Sequence, residues 1–193
     1  MSFIDEFQSV DLILNSTFET RGVDAFALSL IKAERQIRKI FTFLVYQSAQ
    51  INAHDISNLK RVLQENKQCY FEGFERGIDQ ISIKTVAEMI GERYGELRSQ
   101  LEIATSYRNK IFHGQITGHS LQREDLVLLA QDIRTWCSLL SDACLSDFGF
   151  DGFLRNSFRK SEAEGHRFIR LSFNGVDDFA IFVAQQVQRR RKH

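Results

Sequence analysis

The sequence predicts an all-α fold, an antiparallel helical bundle, and three observations point to it. Its 193 residues contain no proline, so nothing in the chain interrupts a long helix by removing an amide donor. Apolar residues recur at three- and four-residue intervals in several separate stretches. Short connections join these stretches, as antiparallel neighbours in a bundle require. With 43% hydrophobic and 26% charged residues, the composition is that of a globular domain able to bury a core.

Phe3, Phe7, Val10 and Leu14 mark a first amphipathic helix ending near Asn15. A longer second helix is expected from about Val23 to about Ile51, with Phe26, Leu30, Ile37, Phe41, Leu44 and Val45 as its apolar positions. His54-Asp55 breaks it, and Asp55 is placed to cap a third helix through Leu59, Val62 and Leu63. From Gly73 to Gly77 the pattern loosens. A fourth helix then runs from about Lys84 to His113, weakened but not broken by Gly91 and Gly95. Gly114 is placed to stop it in a left-handed cap. Ile116 to Leu121 reads as a loop, and Ser120 as the cap of a fifth helix through Leu126, Leu129, Ile133, Trp136, Leu140 and Ala143.

After Phe148 the composition shifts to glycine, arginine and phenylalanine. Arg167 to Phe173 suits a short extended segment, and Val176 to Arg189 a final helix preceded by Asn174. The end, Arg189 to Lys192 and His193, is a basic tail. The expected organisation is therefore a bundle over residues 1–148 and a basic, aromatic extension over 149–193 packed on it. The chain shows no internal repeat and no low-complexity block.

Several function classes fall away. The formal net charge is zero, which excludes a globally basic nucleic-acid coat but not a local patch. Cys69, Cys137 and Cys144 are odd in number and form no CxxC pair, so they read as reduced, buried thiols. His54, His119, His166 and His193 lack the spacing of a zinc site. Asp147, Asp151, Asp177 and Asp178 read as helix caps or solvated loop acids. No Walker motif supports NTP hydrolysis. No metal or cofactor is expected. Met1 to Val10 carries Asp5 and Glu6 and no unbroken apolar run, and no stretch has the length of a membrane span; the expected location is cytoplasmic.

The chemistry concentrates in Tyr107-Arg108-Asn109-Lys110-Ile111-Phe112-His113-Gly114. Arginine is a permanent cation whose planar fork fits phosphate oxygens. Histidine gives and takes protons near neutral pH. Together they can break a phosphodiester without a metal. On a regular helix Arg108 and His113 stand about 140° apart, whereas Asn109 and His113 share a face. A helix ending at His113 lets the imidazole turn toward Arg108, and the free carbonyls there favour the imidazolium. In RNA the 2′-hydroxyl is an internal nucleophile, so such a pair favours RNA over DNA. One pair is sparse for both proton transfers, and two copies across a twofold axis supply two of each. Besides Arg108, Asn109 and His113, the candidate RNA contacts are Lys110, Arg38, Arg155, Arg159 and Lys160. Phe148, Phe150, Phe153 and Phe158 beside Arg155 and Arg159 suit either base stacking or docking of the extension.

The string Arg108-Asn109-Lys110-Ile111-Phe112-His113-Gly114, late in an all-helical chain, resembles the signature of the HEPN superfamily: Arg, four to six residues, then His, often with Asn after the Arg. The resemblance spans roughly residues 20–148 in helix order and length. It implies a bundle that dimerises with its motifs facing each other and cleaves RNA without a metal. Many members are toxins or effectors of prokaryotic defence, with antitoxin or defence-complex partner proteins. It places Arg108 and His113 in the catalytic role and Asn109 in a supporting one. Members often brace the motif with a polar residue from an earlier helix, for which Glu34 is the candidate. Some relatives are catalytically inactive and serve as scaffolds for a partner protein or nucleotide.

Overall fold

A computed structural model describes residues 2–66, 69–112, 122–161 and 168–187. Its helices are α1 (Phe3–Leu14), α2 (Arg21–Tyr46), α3 (Ile56–Glu65), α4 (Phe71–Ile81), α5 (Val86–Ile90), α6 (Tyr94–Phe112), α7 (Arg123–Phe148) and α8 (Val176–Phe182). The described chain is an all-α bundle; its pairing outside helices is a single bridge between Ser82 and Ile169. No helix among the described residues is long and apolar enough to cross a membrane.

The first helix begins at a capping box in which Ser2 and Asp5 satisfy each other's amides. Its buried Glu6 reaches Lys32 at 3.2 Å and Arg35 at 3.1 Å, tying α1 to α2. α2 is the central helix and packs along α7, α4 and α1. It is buried on all sides from Ile40 to Tyr46. It ends five residues before Ile51 because residues 47–51 bond the extension instead of prolonging the helix. The Lys160 ammonium donates to the carbonyls of Tyr46, Ser48 and Ile51, and Gln47 exchanges bonds with Arg159 and Ser161. The third helix lies where its pattern puts it, although Asp55 closes the capping box of a preceding 3-10 turn begun by Asn52.

Two glycine readings reverse. Residues 73–77 are helical, inside α4. A Cβ on Gly73 would stand 2.0 Å from the Val187 carbonyl oxygen, and one on Gly77 would stand 2.5 Å from the Phe41 ring. These glycines give room for close packing rather than flexibility. Gly91, expected to leave its helix intact, has φ +74° and ends α5; a 3-10 turn then leads into α6. Gly95 lies inside α6 without breaking it.

Gln122, not Ser120, caps α7, in a capping box with Asp125. Ser120, with the whole 116–121 loop and Gly114, lies outside the described residues. α7 ends at Gly149, in the left-handed conformation, and the chain turns back across the bundle. Phe150 and Phe153 are fully buried, and Phe150 stacks on Phe43 with ring centroids 4.5 Å apart. Gln36 donates to the carbonyls of Cys137 and Asp151, stitching α2 to α7 and the extension. Gly175, rather than Asn174, precedes α8, which continues into a π-helical turn, Val183–Val187, packed on α4.

Candidate functional site

A cleft of about 640 Å³ opens between α2, the start of α4, α6 and the π turn. Glu34, Tyr70, Gly73, Arg76, Arg98, Glu102, Thr105, Arg108, Asn109 and Val187 are among its lining residues. The face of α6 that points into it is a helical stripe: positions 98, 102, 105 and 109 recur at the helical period.

Arg108 stands near the end of α6 at the mouth of this cleft. Its Nη1 donates to Glu34 Oε1 at 2.6 Å, and its Nε to Asn109 Oδ1 at 3.3 Å. The guanidinium is held on one edge by α2 and on another by its own helical neighbour. No other bond to it is formed among the described residues, and Arg108 is one of the residues lining the cleft. Glu34 thus meets the motif arginine, and Asn109 lies beside it. His113, the other member of the motif pair, lies outside the described residues, as does His119.

Behind Arg98, which lines the cleft, a second polar group joins α4 to α6. Buried Glu75 accepts from Arg98 Nε at 2.9 Å and from the Tyr94 hydroxyl at 3.0 Å. Arg98 also reaches Glu102 at 3.0 Å. Burial holds the Glu75 carboxyl above its ordinary pKa despite the Arg98 charge. Burial and the neighbouring Glu75 charge push the Tyr94 phenol up to about 12. Arg76 donates to the Gln186 carbonyl at 3.4 Å, linking α4 to the π turn. Sequence reasoning missed Tyr70, Glu75, Arg76, Tyr94, Arg98 and Val187; for Arg98, the periodic polar stripe leading to Asn109 was the available signal.

The other basic candidates have different surroundings. Each of the three ammonium donors of Lys160 meets a backbone carbonyl, and its Nζ stands 4.8 Å from the Tyr46 ring centroid. Burial lowers its pKa. Arg159 packs on Phe150 and donates to the Gly149 carbonyl, which fixes the end of α7. Both therefore hold the extension in place. Arg155 is exposed, and Lys110 is half-buried on α6. Phe148, Phe150 and Phe153 are core residues, which leaves half-buried Phe158 as the ring of that group with accessible surface.

Three of the four aspartates have partners within the fold. Asp147 pairs with Lys84 at 2.8 Å, Asp151 accepts the amides of Phe153 and Leu154, and Asp178 accepts the Asn174 amide. No cluster of three or more His, Cys, Asp or Glu side chains among the described residues is placed to hold a metal ion. Burial raises the thiol pKa of Cys69, Cys137 and Cys144, which removes thiolate character. Compared with known proteins, the chain matches no family model, no curated protein and no solved structure.

Proposed function

We propose that this chain is a HEPN-like, metal-independent endoribonuclease, acting as a toxin or antiviral defence effector in the cytoplasm. The observation that carries this reading is Arg108 held between Glu34 and Asn109 at the mouth of an open cleft, five residues before His113. A guanidinium fixed on two edges presents its remaining donors in a defined direction, the preorganisation a phosphoryl group requires. In the reaction the RNA 2′-oxygen bonds to phosphorus and the bond to the 5′-oxygen breaks, leaving a 2′,3′-cyclic phosphate. One imidazole removes the 2′-hydroxyl proton and another protonates the departing 5′-oxygen. Arg108 balances the charge on the phosphoryl oxygens. Two motifs facing across a homodimer axis supply both imidazoles, each from its own His113.

A second reading has one observation in its favour. Each cleft arginine already has an intramolecular partner: Arg108 with Glu34, Arg98 with Glu75 and Glu102, Arg76 with a carbonyl. Such a cleft suits a catalytically silent scaffold that engages a partner protein or nucleotide. Incubation of RNA with the purified protein in EDTA, beside Arg108→Ala and His113→Ala variants, separates the two. The ribonuclease reading expects cleavage in EDTA that both substitutions abolish. Cleavage surviving both substitutions rejects the site, cleavage lost to EDTA rejects the metal-free mechanism, and no cleavage at all favours the scaffold.

A further inference from the structure

Arg38 lies one helical turn beyond Glu34 on α2, about 6 Å further along the axis. It lines a second groove, of about 390 Å³, between α2, α3, the start of α4 and the extension at Ser157 and Phe158. The charge there is one-sided. Arg38, Lys39 and Lys60 line it, and no carboxylate does among the described residues. In the Arg108 cleft, by contrast, three arginines face three glutamates.

The three cations are not equivalent. Lys39 donates to the carbonyls of Phe153 and Leu154, so it is part of the scaffold. Arg38 rests on the Phe74 ring with its guanidinium carbon 5.5 Å from the centroid, and Lys60 on Phe158 with its Nζ at 5.3 Å. A cation seated on a ring face is held in place while its N–H donors stay available. Neither Arg38 nor Lys60 is salt-bridged to a described carboxylate. Between groove and cleft stands Tyr70. It lines the cleft, its chain neighbour Cys69 lines the groove, and the residue is 48% exposed. An accessible ring on one cavity, next to a groove that carries cations, can bind single-stranded nucleic acid, with bases on the aromatic face and phosphates on the cations.

We propose that a single RNA strand leaving the Arg108 cleft crosses Tyr70, which stacks one base, and enters this groove, where Arg38 and Lys60 each take a phosphate. The proposal rests on the ribonuclease reading for its ligand. It extends that reading to how the strand is held outside the scissile linkage.

The test is fluorescence anisotropy with a short, labelled, 2′-O-methyl single-stranded RNA, which binds but cannot be cleaved, titrated in EDTA over a range of salt. Loss of two phosphate contacts in the Arg38→Gln/Lys60→Gln double variant is expected to make the slope of log affinity against log salt shallower by about 1.4. Tyr70→Ala is expected to weaken binding about ten-fold with the slope unchanged, while Tyr70→Phe binds as the wild type does. Unchanged thermal melting confirms that each variant is folded. RNA binding that still depends on Arg108 but ignores the groove and Tyr70 variants overturns the groove proposal alone. A wild-type protein that neither binds nor cleaves RNA overturns the ribonuclease reading and the groove proposal with it.

Discussion

Glu34 and Arg108, 74 residues apart in the chain, meet at 2.6 Å where α2 faces α6. Their side chains are 27% and 24% exposed, so water screens the pair, and its worth to folding is about 0–1 kcal/mol. An ion pair so weak for stability, at the mouth of a cleft, is better explained by the direction it gives the guanidinium. Under the proposed ribonuclease function, Glu34→Ala should therefore lower kcat for RNA cleavage about ten- to hundredfold while the melting temperature moves by only a few degrees. Glu34→Gln keeps an acceptor for Nη1 and should recover much of the loss. Steady-state kinetics with thermal melting checks this. Equal losses for the two substitutions would show that the charge, not the hydrogen bond, matters.

The two glycine classes of this chain predict opposite outcomes for one substitution. A Cβ at position 73 runs into the Val187 carbonyl at 2.0 Å, and backbone cannot move aside as a flexible side chain can. Gly73→Ala should cost about 1–3 kcal/mol or more and lift the π turn from α4, opening the cleft wall. At Gly95, inside α6, a Cβ meets nothing within 4 Å. Gly95→Ala should instead add about 0.5–1 kcal/mol. Urea titration of both variants, with limited proteolysis near the C-terminal helix of Gly73→Ala, measures the contrast.

Those glycines also mark where the sequence stopped being readable. Helix positions followed from apolar spacing wherever one helix buried one face, as in α1, α3 and α7. A glycine used for positive φ and one used for missing volume look alike in sequence. Only the packed partner distinguishes Gly91 from Gly73, and that partner lies over a hundred residues away in the case of Val187. The site divides in the same way. Arg108 and Asn109 announced themselves as a motif, and Glu34 came from resemblance to a family. The Glu75–Arg98–Tyr94 group depends on how α4 docks on α6, which no local pattern encodes. The end of α2 is similar: the carbonyls that Lys160 binds stop the helix from outside.

Lys160 should accordingly behave as a structural residue. Removing an ammonium that caps the carbonyls of Tyr46, Ser48 and Ile51 leaves those acceptors to water at the rim of the core. Lys160→Met keeps the apolar stem and discards the donors. It should lower stability by about 1–2 kcal/mol and leave the salt dependence of RNA binding unchanged. Chemical denaturation and an anisotropy titration on one preparation suffice. A shallower salt slope with undiminished stability would move Lys160 to the RNA-contacting surface.

Glu75 gives a pH signature. Its carboxyl is buried, and burial raises its folded-state pKa above the ordinary 4.5 although Arg98 and Tyr94 pull the other way. Between 4.5 and the raised value the folded protein binds a proton that the unfolded chain does not. Stability from this group is thus fully present below the unfolded pKa and is lost as pH rises through the folded one. Glu75→Gln cannot titrate there, and other groups largely cancel in the difference between the two proteins. The unfolding free energy of the wild type relative to Glu75→Gln should grow as pH falls from neutrality toward the ordinary carboxylate value of 4.5, with a slope no steeper than about 1.4 kcal/mol per pH unit, the limit for one proton. Urea titrations at three pH values across that window provide the measurement. A difference that shrinks on acidification would mean that the Arg98 charge outweighs burial and holds the carboxylate ionised.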